Sequence, residues 1–348
     1  MRALPKLQPI HRRKLSRVAY VIYLVLMIPI CSEIALRIMG YQPFQQVEYK
    51  IEASPENCLI AHPTLGFALQ PGDFKVTINQ GLHYTVRHGG DSLRLTPRAL
   101  KKNVQDSIYF FGCSYTYGMG LNDSLTFPFL VSQNLPHSLI KNFGVPGYGT
   151  IQAYLQLKRL FASQEIPNIV IINYADFHDD RNALTARYRR DLYMGYQGSN
   201  ESVKTLMQES KVPFLTKKSE GYVVDFCSWK DLYDHWKYRE TFALVNFFQD
   251  WSDRNQMHSI DKEAYTRYLF SMIKDMCEQE KIRLIVTGIT PSEETKSLLK
   301  DLNDEGIEIL DISVDLSSDQ YRNAPFDDHP NELAHAFFAK KITAYLVP

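Results

Sequence analysis

The sequence predicts an α/β fold, a mostly parallel sheet packed between helices, preceded by a membrane-length apolar helix and a small β-rich segment. Three observations predict it. From Ser107 onward, short apolar runs alternate with longer stretches of helical spacing. Residues 41–105 are rich in turn residues and hold short alternating runs such as "FKVTIN" and "HYTVRH". An uncharged run, Val18 to Ser32, comes after a basic N-terminal segment.

Residues 1–17 carry Arg2, Lys6, Arg12, Arg13, Lys14 and Arg17 and no acid. Residues 18–39 form the apolar stretch, interrupted by Glu33. About 20 apolar residues cross a bilayer as a helix. The run approaches that length when Ile34 to Leu36 are included and Glu33 sits at the interface. Basic residues ahead of the run favour a cytoplasmic N-terminus, with the rest of the chain exported. An uncleaved anchor in the inner (plasma) membrane is preferred over a cleaved signal peptide. No clean A-x-A site comes after it, and "IPIC" lacks small residues before Cys31. A buried helix of a soluble protein is the third reading.

Composition narrows the classes. The chain has 348 residues, 45% hydrophobic and 22% charged, enough for a large core. Lys+Arg and Asp+Glu both number 39, so no overall basic field argues for a nucleic-acid partner. Of five cysteines, Cys31 lies in the apolar run and Cys113 beside a serine. Cys58, Cys227 and Cys277 leave room for one disulfide in an oxidising compartment. No C-x-x-C occurs, which argues against a zinc site of that kind.

Residues 106–348 carry the alternating elements. "SIYFFG", "SLIKNFG" and "NIVIINYA" read as strands, separated by helices over "LTFPFLVSQNL" and "TIQAYLQLKRLFASQ". Asp123 or Ser124 lies near the start of the first helix, and Thr150 is a candidate cap for the second. Later come a helix over "YTRYLFSMIKDMCEQE", a strand over "IRLIVTGI" and a helix over "TPSEETKSLLKDLNDEG". Thr290 and Glu293 have capping-box spacing there, with Pro291 at the first helical position. The strand "IEILDIS" and the helix "NELAHAFFAKKITAYL" close the chain. Between about 183 and 259 the alternation stops. That stretch holds Trp229, Trp236 and Trp251 and reads as an insertion, helical toward its end.

In parallel sheets, chemistry gathers beyond the carboxyl ends of the strands. Ser114 stands there, in "FFGCSYTYGMG", on a turn that Gly112 permits. A serine needs a base to act as a nucleophile, and the base needs an acid to fix its tautomer. "FDDHPNELAH" supplies His329 and Asp327 on the loop entering the last helix.

Three blocks then resemble the SGNH/GDSL hydrolase family. "FFGCSYTYGMGLNDSLTFPFL" is similar to its F-G-x-S-x-T-x-G block, "NFGVPGYGTIQ" to N-x-G-x-x-G, and "DDHPNELAHAFFA" to D-x-H-P-N leading into a helix. The resemblance spans about Ser107 to Pro348, apart from the insertion. It implies a three-layer α/β/α sandwich of flavodoxin-like kind, and ester hydrolysis or acyl transfer through an acyl-serine. It implies Ser114 as nucleophile, His329 as base and Asp327 as its partner, with Asp328 disfavoured by adjacency to His329. The N–H groups of Ser114 and Gly147 would be oxyanion donors, with no cofactor and no metal. The substrate would be an acyl ester of an envelope glycan or lipid.

One block departs. The family places an Asn side chain after the third strand as a further oxyanion donor, and here "INYADFHDDRN" puts Ala175 at that position. Asn173, His178 and Arg181 are the candidate replacements. The segment is similar to that of a divergent subgroup with D-x-H-x-x-R. The departure favours a competing class, a fold-retaining glycan-binding or envelope protein.

Each residue also has a plain structural reading. Ser114 and Gly147 would be turn residues, Asp327 a helix cap and His329 a helix-entry residue. Arg181 would pair with a carboxylate, and Tyr115 and Tyr117 would be core or pocket wall. Metal binding by His178, Asp179 and Asp180 is disfavoured, because neighbours on one loop rarely complete a site. "GMG" lacks the G-K-[ST] of a phosphate loop.

Overall fold

The computed structural model describes residues 9–46, 49–97, 104–199 and 201–347. Arg2 and Lys6 of the basic segment lie outside these described residues.

The chain begins with α1 (Pro9–Ile38), then β1 (Ile51–Ser54), β2 (Leu59–His62), β3 (Gly66–Leu69), β4 (Gly72–Ile78) and β5 (Leu82–His88). Alternation starts at β6 (Asp106–Phe111), followed by α2 (Ser114–Tyr117), α3 (Phe127–Asn134), β7 (Ser138–Asn142), α4 (Thr150–Ala162) and β8 (Ile169–Tyr174). Next come α5 (Phe177–Asn182), α6 (Ala186–Gly198), α7 (Glu201–Met207), β9 (Lys211–Lys218), β10 (Gly221–Ser228) and α8 (Ala243–His258). The rest is α9 (Lys262–Gln279), β11 (Arg283–Gly288), α10 (Glu293–Asp304), β12 (Glu308–Asp311) and α11 (Glu332–Leu346).

Two compact units divide the chain. One comprises Met1–Val47 and Asp234–His258, the other Glu48–Tyr233 and Ser259–Pro348. In the first, the stretch Arg17–Ile38 of α1 is 22 residues long, apolar enough to cross a membrane, and unburied. Glu33 does not stand as a bare charge there. It accepts hydrogen bonds from the Ala243 N–H (3.0 Å) and the Leu244 N–H (2.7 Å), and Arg37 Nε lies 2.6 Å away. It thus supplies acceptors for the first turn of α8, whose N–H groups have no partner within their own helix.

The larger unit is built on a five-stranded sheet in the order β12-β11-β8-β6-β7, every neighbouring pair parallel. Counting only these strands, the order is 2-1-3-4-5, the flavodoxin-like arrangement. Strand alternation decides the two faces. Ile108, Phe110, Ile171 and Ile285 point to a core shared with Phe127, Val131, Phe338 and Ile342 of α3 and α11. Tyr109, Phe111, Val170, Ile172 and Val286 point to the other, shared with Leu157, Phe270, Ile273, Leu298 and Leu302 of α4, α9 and α10. Burial on both faces is why these strands read as continuous apolar runs. The expected three-layer α/β/α architecture is what the structure contains.

The β-rich lead-in forms an antiparallel sheet in the order β1-β4-β5 and a β2-β3 pair. Some local readings shift. α10 starts at Glu293, capped by Ser292, whose Oγ accepts from Thr295 N–H at 3.2 Å. Thr290 is drawn off instead to donate to Asp176 Oδ1 at 2.8 Å, a tertiary bond that outcompetes the local cap. α4 takes Gly149 as its cap, with Thr150 one residue inside. The irregular middle stretch contains a β9–β10 hairpin as well as helices. All five cysteines are free.

Candidate functional site

β6 and β8 are sheet neighbours between which the strand order reverses, and each ends at the same crevice. Beyond β6 the chain turns through Gly112, where a Cβ would collide with Thr116 Oγ1 and press on Asn173 O at 3.1 Å. Ser114 is the first residue of the one-turn helix α2. It is 4% exposed and lines a cleft of about 630 Å³. Its hydroxyl makes no hydrogen bond among the described residues.

The turn beneath it is held from two sides. Asn142 Nδ2 donates to Thr116 O at 3.0 Å while its Oδ1 accepts from Gly144 N–H at 2.9 Å. The buried Arg94 donates to the carbonyls of Tyr117 and Gly118, each at 2.6 Å, and pairs with Asp123 at 3.0 Å. Such fixing matters because a nucleophile is useful only when its direction is set.

The loop entering α11 brings the base. His329 Nδ1 lies 2.9 Å from Asp327 Oδ1 and 3.0 Å from Oδ2. A proton held at Nδ1 leaves the other ring nitrogen free to accept one. Tyr49 adds a bond that no sequence pattern marks: its hydroxyl donates to Asp327 Oδ1 at 2.7 Å. Burial works against the Asp327 carboxylate, but the bonds from His329 and Tyr49 outweigh it and hold its pKa below the ordinary value. The cap of α11 is Asn331, whose Oδ1 accepts from Leu333 N–H (3.0 Å) and Ala334 N–H (3.2 Å). Asp327 is thereby left to His329. Asp328 turns away to Arg322, 2.6 Å distant. The Tyr115 ring meets the imidazole edge-on, centroids 5.5 Å apart.

Ser114, Asp327, His329 and Arg181 line one cleft, with Tyr49, Tyr188, Arg187 and Asp191. Arg181 is already engaged. It donates to Tyr148 O at 2.7 Å and lies over the Phe177 ring at 4.4 Å. Gly147 sits on the loop between β7 and α4, where its carbonyl accepts from Tyr188 Oη at 2.6 Å.

Asn173 and His178 are placed elsewhere. Asn173 donates to Phe111 O at 3.0 Å and accepts from Thr287 Oγ1 at 2.6 Å, tying three strands together inside the sheet. His178 is fully buried against Tyr174 and Phe177. Burial and the nearby Arg181 push its pKa far down, so it is neutral. Ala175 is buried in the core beside α3 and α11. Cys113 is fully buried as well.

No family model matches the chain, and no curated protein matches it. Solved structures do. One is described as a putative lipolytic protein of the G-D-S-L family from Desulfitobacterium hafniense, 10% identical with a TM-score of 0.39, covering 70% of this chain and 100% of its own. A psychrotrophic esterase from Pseudoalteromonas sp. is 12% identical with a TM-score of 0.39 and the same coverages. A catalytic mutant of an acetylxylan esterase from Geobacillus stearothermophilus is 13% identical with a TM-score of 0.35, covering 72% and 97%.

Proposed function

We propose that this chain is a membrane-anchored, extracytoplasmic serine ester hydrolase or O-acyltransferase. It acts through an acyl-serine on acyl esters, acetyl among them, of an envelope glycan or lipid. The observation that carries the reading is the Asp327–His329 pair at 2.9 Å, facing the same cleft as Ser114. His329 takes the Ser114 hydroxyl proton, and Oγ attacks the ester carbonyl. The tetrahedral oxyanion forms near the N–H groups of Ser114 and Gly147. Collapse expels the alcohol, protonated by His329. Water or an acceptor hydroxyl then resolves the acyl-serine by the same steps reversed. The absent Ser114–His329 hydrogen bond does not oppose this, since such bonds often close only around substrate. The apolar span of α1 and the basic residues ahead of it support an anchor with a cytoplasmic N-terminus.

A binding protein that keeps the fold is the competing reading, favoured by the buried Ala175 where a donor side chain would stand. A fluorophosphonate probe separates the two. The full chain in detergent is expected to label at Ser114 alone, with labelling lost in Ser114→Ala and His329→Ala. A folded chain that does not label sinks the enzymatic reading, and glycan binding is then measured.

A further inference from the structure

The first three turns of α8 bury polar groups and expose two rings. Its buried side carries polar groups: Gln249, 1% exposed, bonds Trp236 N–H (3.1 Å) and Asp234 O (2.6 Å), and Asn246 bonds Gln42 O (3.0 Å). Asn246 and Asp250 also take the guanidinium of Arg239, which is wholly buried. The outer side carries the exposed Phe248 (48%) and Trp251 (56%) with the half-buried Leu244 at helical spacing, and the exposed Ser252, Arg254 and Asn255 continue it toward the C-terminus. The loop before it exposes Tyr238 and Phe242. A helix facing water would show its polar groups and hide its rings. Exposed contiguous aromatics mark a surface with a partner.

The partner is named by what adjoins this face. Arg37 donates to Thr241 O at 3.1 Å, and Glu33 accepts from the first N–H groups of α8. The aromatic face therefore begins level with the last turns of the apolar span. Tyrosine and tryptophan concentrate where acyl chains meet headgroups, because the ring is apolar and its edge polar. A 22-residue helix is about 33 Å long, enough for the hydrocarbon layer, so residues 33–38 lie at its border.

We infer that α8 and the loop preceding it form a second membrane contact, lying in the lipid interface at the C-terminal end of α1. The inference rests on the reading that α1 spans a bilayer. Phe242, Phe248 and Trp251 enter the acyl–headgroup boundary, as the apolar face of an interfacial helix does. The buried Arg239 network keeps its polar groups out of the lipid.

Tryptophan fluorescence tests it. The full chain is reconstituted in phosphatidylethanolamine–phosphatidylglycerol vesicles containing phosphatidylcholine brominated near the headgroup or near the chain terminus. Resistance to alkaline carbonate extraction reports α1 insertion separately. The emission contributed by Trp251, taken as wild type minus Trp251→Phe, is expected to lose most of its intensity with shallow bromines and less with deep ones. An inserted chain whose Trp251 emission is untouched by either lipid overturns the inference and leaves the anchor standing. So does an inserted chain whose Trp251 is shielded because cross-linking shows a second copy there. Extraction of the whole chain by carbonate overturns both.

Discussion

Tyr49 and Asp327, 278 positions apart in sequence, share a 2.7 Å hydrogen bond at the same carboxylate oxygen that His329 approaches at 2.9 Å. One oxygen thus takes both donors. Tyr49 is a second donor to the acid beside the imidazole and favours its ionised form. Burial, and then the Asp327 bond, push the Tyr49 phenol far up, so it stays a donor.

Removing that donor is expected to loosen the base rather than the substrate. Hydrogen bonds to charged groups contribute about 1.5–3 kcal/mol. Tyr49→Phe should lower kcat on p-nitrophenyl acetate about tenfold with KM unchanged. An unchanged kcat would show that Asp327 is held without it.

Gly144 lies beneath the serine turn. A Cβ there would stand 2.5 Å from Tyr117 N and 2.9 Å from Thr116 C, atoms that cannot swing aside. Gly144→Ala should cost about 1–3 kcal/mol of stability through overpacking. It should also slow Ser114 labelling, because the backbone that must yield is that of α2. Denaturant midpoints and labelling rates read the two effects.

Asp179 is a buried acid whose pKa is raised to about 7, chiefly by desolvation, although Thr266 and Tyr174 donate to it at 2.7 and 2.8 Å. The folded state holds a proton there that the unfolded chain releases above its ordinary pKa. Stability therefore falls as pH rises from about 4 to about 7 and is level above. Asp179→Asn keeps an acceptor and removes the titration. The difference in unfolding free energy between wild type and variant should swing by up to about 4 kcal/mol across that window, in favour of the variant at high pH. A constant difference would mean that Asp179 is charged in the folded state.

The sheet was readable in the sequence because strands buried on both faces leave unbroken apolar runs such as "YFF" and "IVII". The positions of Ser114, Asp327 and His329 were readable because loops at strand ends carry their small and polar residues in short blocks. Tyr49 was not, since nothing in its neighbours marks a bond to a residue so distant. Glu33 read only as an interruption of an apolar run, because its acceptor role depends on Ala243 and Leu244. Thr290 is a like case: its spacing fits a cap, but its hydroxyl serves Asp176.

The Glu33 contact has a practical meaning for anyone making a soluble form of this protein. A fragment starting at Tyr41 would discard the carboxylate that satisfies the Ala243 and Leu244 amides, yet retain Asp234–His258, which folds with the discarded part. The leader is thus a scaffold member, not a removable tag. Excising 234–258 together with it is the truncation that leaves no orphaned helix behind.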